Sequence, residues 1–286
     1  MNQHLQKVVE ILRLKQGLDV SSFDRAFLAN SLGRRLAAGG GSSLPAYLAR
    51  LAEDRAEAEA FCASLNINHS EFFRNPLTFA LLEQRILPGL IESRKAGPSS
   101  ELRVWSAGCA AGQEIYSLIL LLEDLARARG QPVPVRIFAT DIDTDSLAAA
   151  RQGVFAEEVV QNVRHRQLRD YFSMADGNYA IAPRLRARVD FSTYDLREEN
   201  STCPPASLYG DFDLILCCNV LFYYRANIQQ RLLEKFCRAL APGGYFVTGE
   251  AECDLAVKHG GCHAVAPAAT VFQKYRIGGS ETNNLP

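Results

Sequence analysis

Leu102–Ser117, LRVWSAGCAAGQEIYS, decides how the rest of the chain is read. Leu102, Val104 and Trp105 suit a strand in the middle of a sheet. Gly108 and Gly112 bracket a turn, where a missing Cβ lets backbone pass close to a ligand. Gln113 and Glu114 open a helix whose apolar face is Leu118, Leu121, Leu122 and Leu125. A strand feeding a helix through glycines is the ligand-binding turn of open α/β sheets. The full GxGxxG spacing is absent, which disfavours a nicotinamide dinucleotide as the ligand.

Downstream, strands and helices alternate. VRIFATDID, residues 135–143, is a second strand ending in two aspartates, and SLAAARQGVF is its helix and stop. Residues 168–189 are irregular, with a hairpin expected around Pro183 in NYAIAPRLRARVDF. DFDLILCCNVLFYY, residues 211–224, is a third core strand. A helix over 228–240 is stopped by APGG, GYFVTGE is a fourth strand, and HAVAPAATVFQKYR supplies a last strand pair. This alternation predicts an α/β fold with a mostly parallel, doubly wound sheet, whose ligands sit beyond the carboxyl ends of the strands.

Upstream, residues 1–65 predict short helices. Val8, Ile11, Leu12 and Leu14 form one stripe; Phe23, Phe27, Leu28, Leu32 and Leu36 form a second, capped by Ser21 or Ser22. Residues 39–43 form a break, and two further helices cover 44–51 and 56–65. Arg25, Arg34 and Arg35 give the second helix a basic character, either a solvated face or a docking surface for an acidic partner. Pro76 opens a helix that turns Phe79, Leu82, Ile86 and Leu90 inward. The boundaries predicted are a helical domain over 1–70 and a catalytic domain over 71–286, with a loop over 95–100 and a disordered tail from about 278.

The chain has 286 residues, a 48% hydrophobic fraction and a net charge of −1. That balance gives no global field for nucleic acid or an anionic membrane. MNQHLQKVVEILRLK lacks the apolar core of a secretory signal, and no apolar run is long enough to span a bilayer, so a cytoplasmic location is expected. Eight cysteines without a CxxC pair suit a reducing compartment. Cys253, His259, Cys262 and His263 match no zinc spacing, so no metal is expected.

At the strand ends gather Glu114, Asp141, Asp143, Asp195, Leu196, Cys218 and Asn219, with Tyr223 one turn further on. A carboxylate accepts hydrogen bonds without donating any, so Asp141 suits both hydroxyls of a ribose. Asp195 suits an adenine amino group, and Glu114 an ammonium. A ligand with adenine, ribose and an amino-acid tail uses all three, which describes S-adenosylmethionine.

SEFFRNP, VWSAGCAAGQEIYS, FATDID, DFDLILCCNVLFYY and LAPGGYFVTGE resemble, in order, the motifs of the CheR family of chemotaxis receptor methyltransferases. The resemblance extends to GLDV and SLGRRL in the helical segment. It implies a class I methyltransferase domain, Rossmann-like, with a small all-helical N-terminal domain and an inserted antiparallel β-subdomain at about 168–190. It also implies methyl transfer from S-adenosylmethionine to glutamates on the cytoplasmic helical bundle of a chemoreceptor, leaving S-adenosylhomocysteine. Carried over by motif, Asn68, Ser70 and Arg74 contact the cofactor, with Gly108 in its turn. Glu114 holds the ammonium and Asp141 the ribose. Asp195, Leu196, Cys218 and Asn219 line the adenine and ribose side, and Arg74 and Tyr223 face the transfer centre. Departures from the family pattern are Gln113 for a glutamate, Ile115 for a proline, Ser70 for a threonine, Asp195 for an asparagine and Cys218 for an arginine. A CheR-like docking module, or a methyltransferase with another acceptor, stays as an alternative reading.

Overall fold

The computed structural model describes residues 2–38, 43–65, 70–95, 100–207, 209–266 and 269–275. Asn68, the break at 39–42, the loop at 96–99 and the tail from 278 lie outside these residues. The chain divides into two compact units: Met1–Asn68 with Leu221–Gln229, and His69–Val220 with Gln230–Pro286. No helix among the described residues is long and apolar enough to cross a membrane.

The first unit is built on α1 (Asn2–Gln16), α2 (Arg25–Ala38), α3 (Leu44–Glu53) and α4 (Arg55–Ala63). Leu5, Val8, Leu12, Leu28, Leu32, Tyr47, Leu51 and Phe61 form its core. Leu14, expected in the α1 stripe, is 71% exposed, because the turn that buries Val8 and Leu12 points it outward. The cap of α2 is Asp24, whose Oδ1 accepts the N–H groups of Ala26 and Phe27 at 2.8 and 3.1 Å, and not Ser21 or Ser22. Residues 221–229 join this unit through backbone bonds. Asp24 N donates to Tyr223 O at 2.8 Å and Arg225 N to Ser22 O at 3.0 Å.

The second unit opens with α5 (Pro76–Leu81) and α6 (Leu87–Lys95), joined without a break by a π-turn over Leu82–Ile86. Pro88 has no N–H for the carbonyl four residues back, which accounts for a wider turn just upstream. Strand and helix then alternate: β1 (Leu102–Ala107), α7 (Gln113–Arg129), β2 (Val135–Asp141), α8 (Thr144–Gln152). After α8 come β3 (Val154–Ala156), α9 (His165–Tyr171), β4 (Phe172–Ala175), β5 (Asn178–Ile181) and α10 (Pro183–Arg186). The sheet resumes with β6 (Val189–Thr193), β7 (Phe212–Cys217), α11 (Ala226–Ala239) and β8 (Leu240–Thr248). It ends with α12 (Cys253–His259), β9 (Cys262–Ala264) and β10 (Val271–Lys274). The helix stops before APGG, and these residues already belong to β8.

The seven-stranded sheet has the order β6-β2-β1-β7-β8-β10-β9. The first five strands are parallel, and β10 runs antiparallel to both β8 and β9. Every residue of β1 and β7 is buried, as central strands covered on both faces require. The chain leaves β1 toward β2 and β6 on one side and reaches β7 and β8 on the other, so the order switches between β1 and β7. This is a doubly wound, mostly parallel α/β sheet carrying a small antiparallel sheet.

That second sheet has the order β3-β5-β4. It corrects the expected hairpin around Pro183 and the span of about 168–190, for its strands run from 154 to 181. The hairpin turn is Asp176–Gly177, both residues at positive φ (53° and 73°), as a tight two-residue turn demands. Pro183 instead opens α10, where its fixed φ suits a first helical turn.

Candidate functional site

The carboxyl ends of the five parallel strands share one edge of the second unit. The turn after β1 is held there by β2, because Gly108 N and Cys109 N both donate to Thr140 O, at 2.8 and 2.9 Å. Gly108 (φ 77°), Ala110 (46°) and Gly112 (90°) are left-handed. A Cβ on Gly108 would lie 2.6 Å from Val220 Cγ2, so only glycine fits between the ends of β1 and β7.

Asp141, the last residue of β2, uses both carboxylate oxygens to shape the edge. Oδ2 accepts from Ala110 N and Oδ1 from Asp143 N, each at 2.9 Å. Burial raises its carboxyl above the ordinary range despite those bonds. Its position is thus fixed by the glycine turn it faces. Asp143 serves elsewhere, as the N-cap of α8.

Glu114 sits in the first turn of α7, partly buried, and its Oε1 accepts from Ser106 Oγ at 3.0 Å. Burial pushes its carboxyl up to about 7. Hydrogen bonds from Cys218 and Ser106 and the charge of Arg74 work the other way, while Glu252 adds to the rise. A carboxyl held so high gains most from a cation brought beside it.

Residues of the SEFFRNP segment divide into anchors and a presented charge. Phe72 is fully buried against Phe155 and Phe172 of the small sheet, ring centroids 5.0 and 5.9 Å away. Phe73, at φ 51°, donates its N–H to Ser117 Oγ of α7 at 3.0 Å. Arg74 follows, exposed, and Ser70 precedes, half-buried. Asn75 caps α5 through Thr78 N at 3.1 Å.

Asp195, two residues beyond β6, is bridged by Arg197, with guanidinium contacts of 2.9, 3.1 and 2.7 Å. Burial acts to raise its carboxyl, but Arg197 outweighs burial and leaves it below the ordinary range. Leu196 is buried, and its carbonyl accepts from Lys235 Nζ at 2.6 Å. Cys218 and Asn219 follow β7. The Cys218 thiol is pushed well up by burial and then by Glu114, so it stays a neutral donor. Asn219 is left-handed, φ 62°.

The second unit therefore brings Glu114, Cys218 and the charge of Arg74 to one place, and sets Gly108, Asp141, Asp195, Leu196 and Asn219 along the same sheet edge. Tyr223 belongs to the first unit, packed on Phe27 and Phe222 with centroids at 4.7 and 4.3 Å. Three contributors were not singled out by sequence reading. Arg197 had a local signal, two residues from Asp195. Lys235 is a 6%-exposed lysine on α11 that binds three oxygens of the 194–198 loop, and Glu252 acts on residue 219; both work across long sequence separations. Among the described residues, no three His, Cys, Asp or Glu side chains gather as a metal ion would need.

The donor set fits a ligand with a cationic end and a polyhydroxyl portion: two carboxyls raised by burial, one opening α7 and one ending β2, beside left-handed backbone. A doubly wound α/β protein with this edge at its switch point is a nucleoside-cofactor enzyme in outline. Residues 68–259 match the model of the CheR methyltransferase, SAM binding domain. Over 256 residues the chain is 32% identical to a chemotaxis protein methyltransferase of Escherichia coli (strain K12), covering 87% of this chain and 84% of that one. It is 30% identical over 283 residues to an uncharacterized 104.1 kDa protein of Rhodobacter capsulatus, covering 96% of this chain but 29% of that protein. Among solved structures, it is similar to the N-methyltransferase NodS of Bradyrhizobium japonicum WM9 with S-adenosyl-L-homocysteine. There the identity is 15%, the TM-score 0.36, and the coverage 68% of this chain and 86% of that one. The chain belongs to the CheR methyltransferase family, and its cofactor is S-adenosylmethionine.

Proposed function

We propose that the protein transfers the methyl group of S-adenosylmethionine to glutamate side chains on the cytoplasmic region of a chemoreceptor, forming methyl esters. The supporting relatives are chemotaxis protein methyltransferases. The observation that carries the reading is the pair Glu114, in the first turn of α7, and Asp141, at the end of β2, beside the switch in strand order. In this reading Glu114 takes the ammonium and Asp141 the ribose. Asn68, Ser70, Arg74, Gly108, Asp195, Leu196, Cys218 and Asn219 complete the cofactor site. Residues 1–70 and 71–286 act as helical and catalytic domains, and the protein works in the cytoplasm.

The chemistry asks little of the side chains. The bound cofactor supplies a sulfonium, an activated methyl donor. The acceptor glutamate is already ionised near neutral pH. No general base is needed, so catalysis rests on alignment and on shedding water from the carboxylate. Orientation of this kind supplies up to about 7–11 kcal/mol in ideal cases. Arg74 and the Tyr223 hydroxyl are assigned to that alignment.

Calorimetry of S-adenosylmethionine with the wild type and Asp141→Ala tests the cofactor site. The variant is expected to bind about 10–100-fold more weakly, the cost of lost charged hydrogen bonds. Transfer of labelled methyl to receptor fragments, released by base as an ester should be, tests the acceptor. Cofactor binding without any transfer to receptor would overturn the acceptor and favour a docking role.

A further inference from the structure

Glu252 lies in the short turn after β8, outside the cofactor residues named above, with its side chain fully buried. A single oxygen, Oε2, accepts the N–H of Asn219 at 2.8 Å and of Gly249 at 2.9 Å. Asn219 holds a left-handed φ of 62°, a conformation that costs a non-glycine residue energy unless its surroundings impose it. Gly249 allows the approach, since a Cβ there would lie 2.7 Å from Asn219 Nδ2 and 2.9 Å from its N. The ends of β7 and β8 are thus closed on each other by one carboxylate oxygen and one glycine.

A neutral amide oxygen at that place would accept the same two bonds. The charge of Glu252 is felt nearby, for it opposes ionisation of Glu114, of Cys217 and of Cys218. Groups acting on Glu114 come from four places in the fold. They are Ser106 on β1, Cys218 after β7, Arg74 before α5 and Glu252 after β8. Only Arg74 is cationic among these, and it is exposed.

We propose that Glu252 is a positioning residue of the cofactor site: its Oε2 fixes the backbone of Asn219, and its charge joins that of Glu114 in offsetting the cofactor's ammonium. This rests on the reading of Glu114 as the ammonium acceptor. Without ligand, the two carboxylates repel each other. When an ammonium arrives, the repulsion becomes shared attraction, so binding and ionisation of Glu114 are linked. Affinity rises with pH up to the Glu114 midpoint and then levels off.

Two measurements test the assignment on the full chain. Carboxyl ¹³C-NMR titration, with the Glu114 signal identified from Glu114→Gln, reads the midpoint directly. Calorimetry with S-adenosylmethionine from pH 5.5 to 8.5 reads affinity. Glu252→Gln keeps the acceptor and removes the charge. It is expected to shift the Glu114 midpoint and the affinity break to lower pH together, and to weaken plateau binding about 3–10-fold. Glu252→Ala and Gly249→Ala also disturb Asn219 and should weaken binding further. A wild-type Glu114 midpoint in Glu252→Gln, or wild-type cofactor affinity in Glu252→Ala, overturns the proposal. A merely structural glutamate would leave the midpoint in place. Undiminished binding by Glu114→Gln instead overturns the ammonium reading, while the NMR midpoints still decide whether Glu252 acts on Glu114.

Discussion

Glu57 in the helical unit and Glu114 in the sheet unit are both withdrawn from water, and their surroundings treat them in opposite ways. Glu57 is 4% exposed on α4 and meets three donors. Arg35 lies at 2.7 Å, Arg50 at 2.8 Å and the Tyr47 hydroxyl at 2.8 Å. Burial acts to raise its carboxyl, yet these partners win and hold it below the ordinary range. In turn, burial and then Glu57 push the Tyr47 hydroxyl up to about 12, so it remains a donor. Glu114 receives a hydroxyl and a thiol instead, and burial wins, at about 7. One carboxylate is complete and holds helices together. The other is left short of positive charge, as a binding group must be before its ligand comes.

The largest stability effect should therefore come from the completed site. Removing Glu57 takes the acceptor from the buried Tyr47 hydroxyl and the partner from the partly buried Arg35. Glu57→Ala is expected to cost about 3 kcal/mol in chemical denaturation of the full chain. Glu57→Gln should cost less, since an acceptor survives. The sign with pH follows from the depressed folded value. The contribution is fully present above the unfolded value of about 4.3, and is lost as pH falls through the lower folded one. The alanine variant should thus lose part of the acid limb of the stability profile. An unchanged limb would remove Glu57 from the comparison.

Glu114 should behave in the reverse sense, with a smaller effect. Its folded value is raised, so between about 4.3 and 7 the unfolded chain is ionised while the folded chain keeps its proton. Stability falls as pH rises through that window. Glu114→Gln escapes the penalty. It should be more stable than wild type at pH 8 by about 2 kcal/mol and nearly equal to it at pH 4. Equal stabilities at both pH values would show that Glu114 titrates normally, and the contrast with Glu57 would collapse.

How far this contrast is visible in the sequence depends on the range of each interaction. The strand–turn–helix at Leu102–Ser117 and the downstream alternation specify the parallel sheet, because burial on both faces writes itself as continuous apolar runs. Asp141 is legible because it ends such a run, and Glu114 because it opens the helix after the glycine turn. The small sheet was misplaced because β3, only three residues long, carries too little pattern to be recognised, and because Asp176–Gly177 is a stronger hairpin signal than Pro183. Buried charges on amphipathic elements are the least legible. Glu57 lies on a helix among other acids and alanines, and its partners are 22, 10 and 7 residues away. Lys235 resembles any solvent-facing lysine until α11 packs over the 194–198 loop. Glu252 looks like one of two acids in GEAE; its bond to Asn219 spans 33 residues.

Asp54 provides the finest division between charge and geometry. It stands three residues before Glu57 and caps α4, its Oδ1 accepting from Ala56 N at 3.0 Å and Glu57 N at 3.2 Å. Its carboxylate is 42% exposed. Being open to water, it works chiefly as an acceptor of fixed geometry, and asparagine offers the same acceptor. Asp54→Ala is expected to cost about 1 kcal/mol, and Asp54→Asn a few tenths at most. Glu57, with two guanidiniums against it, cannot be replaced so cheaply by its amide. A cost for Asp54→Asn equal to that for Asp54→Ala would mean that charge also governs this exposed cap, and burial would no longer be what separates the carboxylates of this protein.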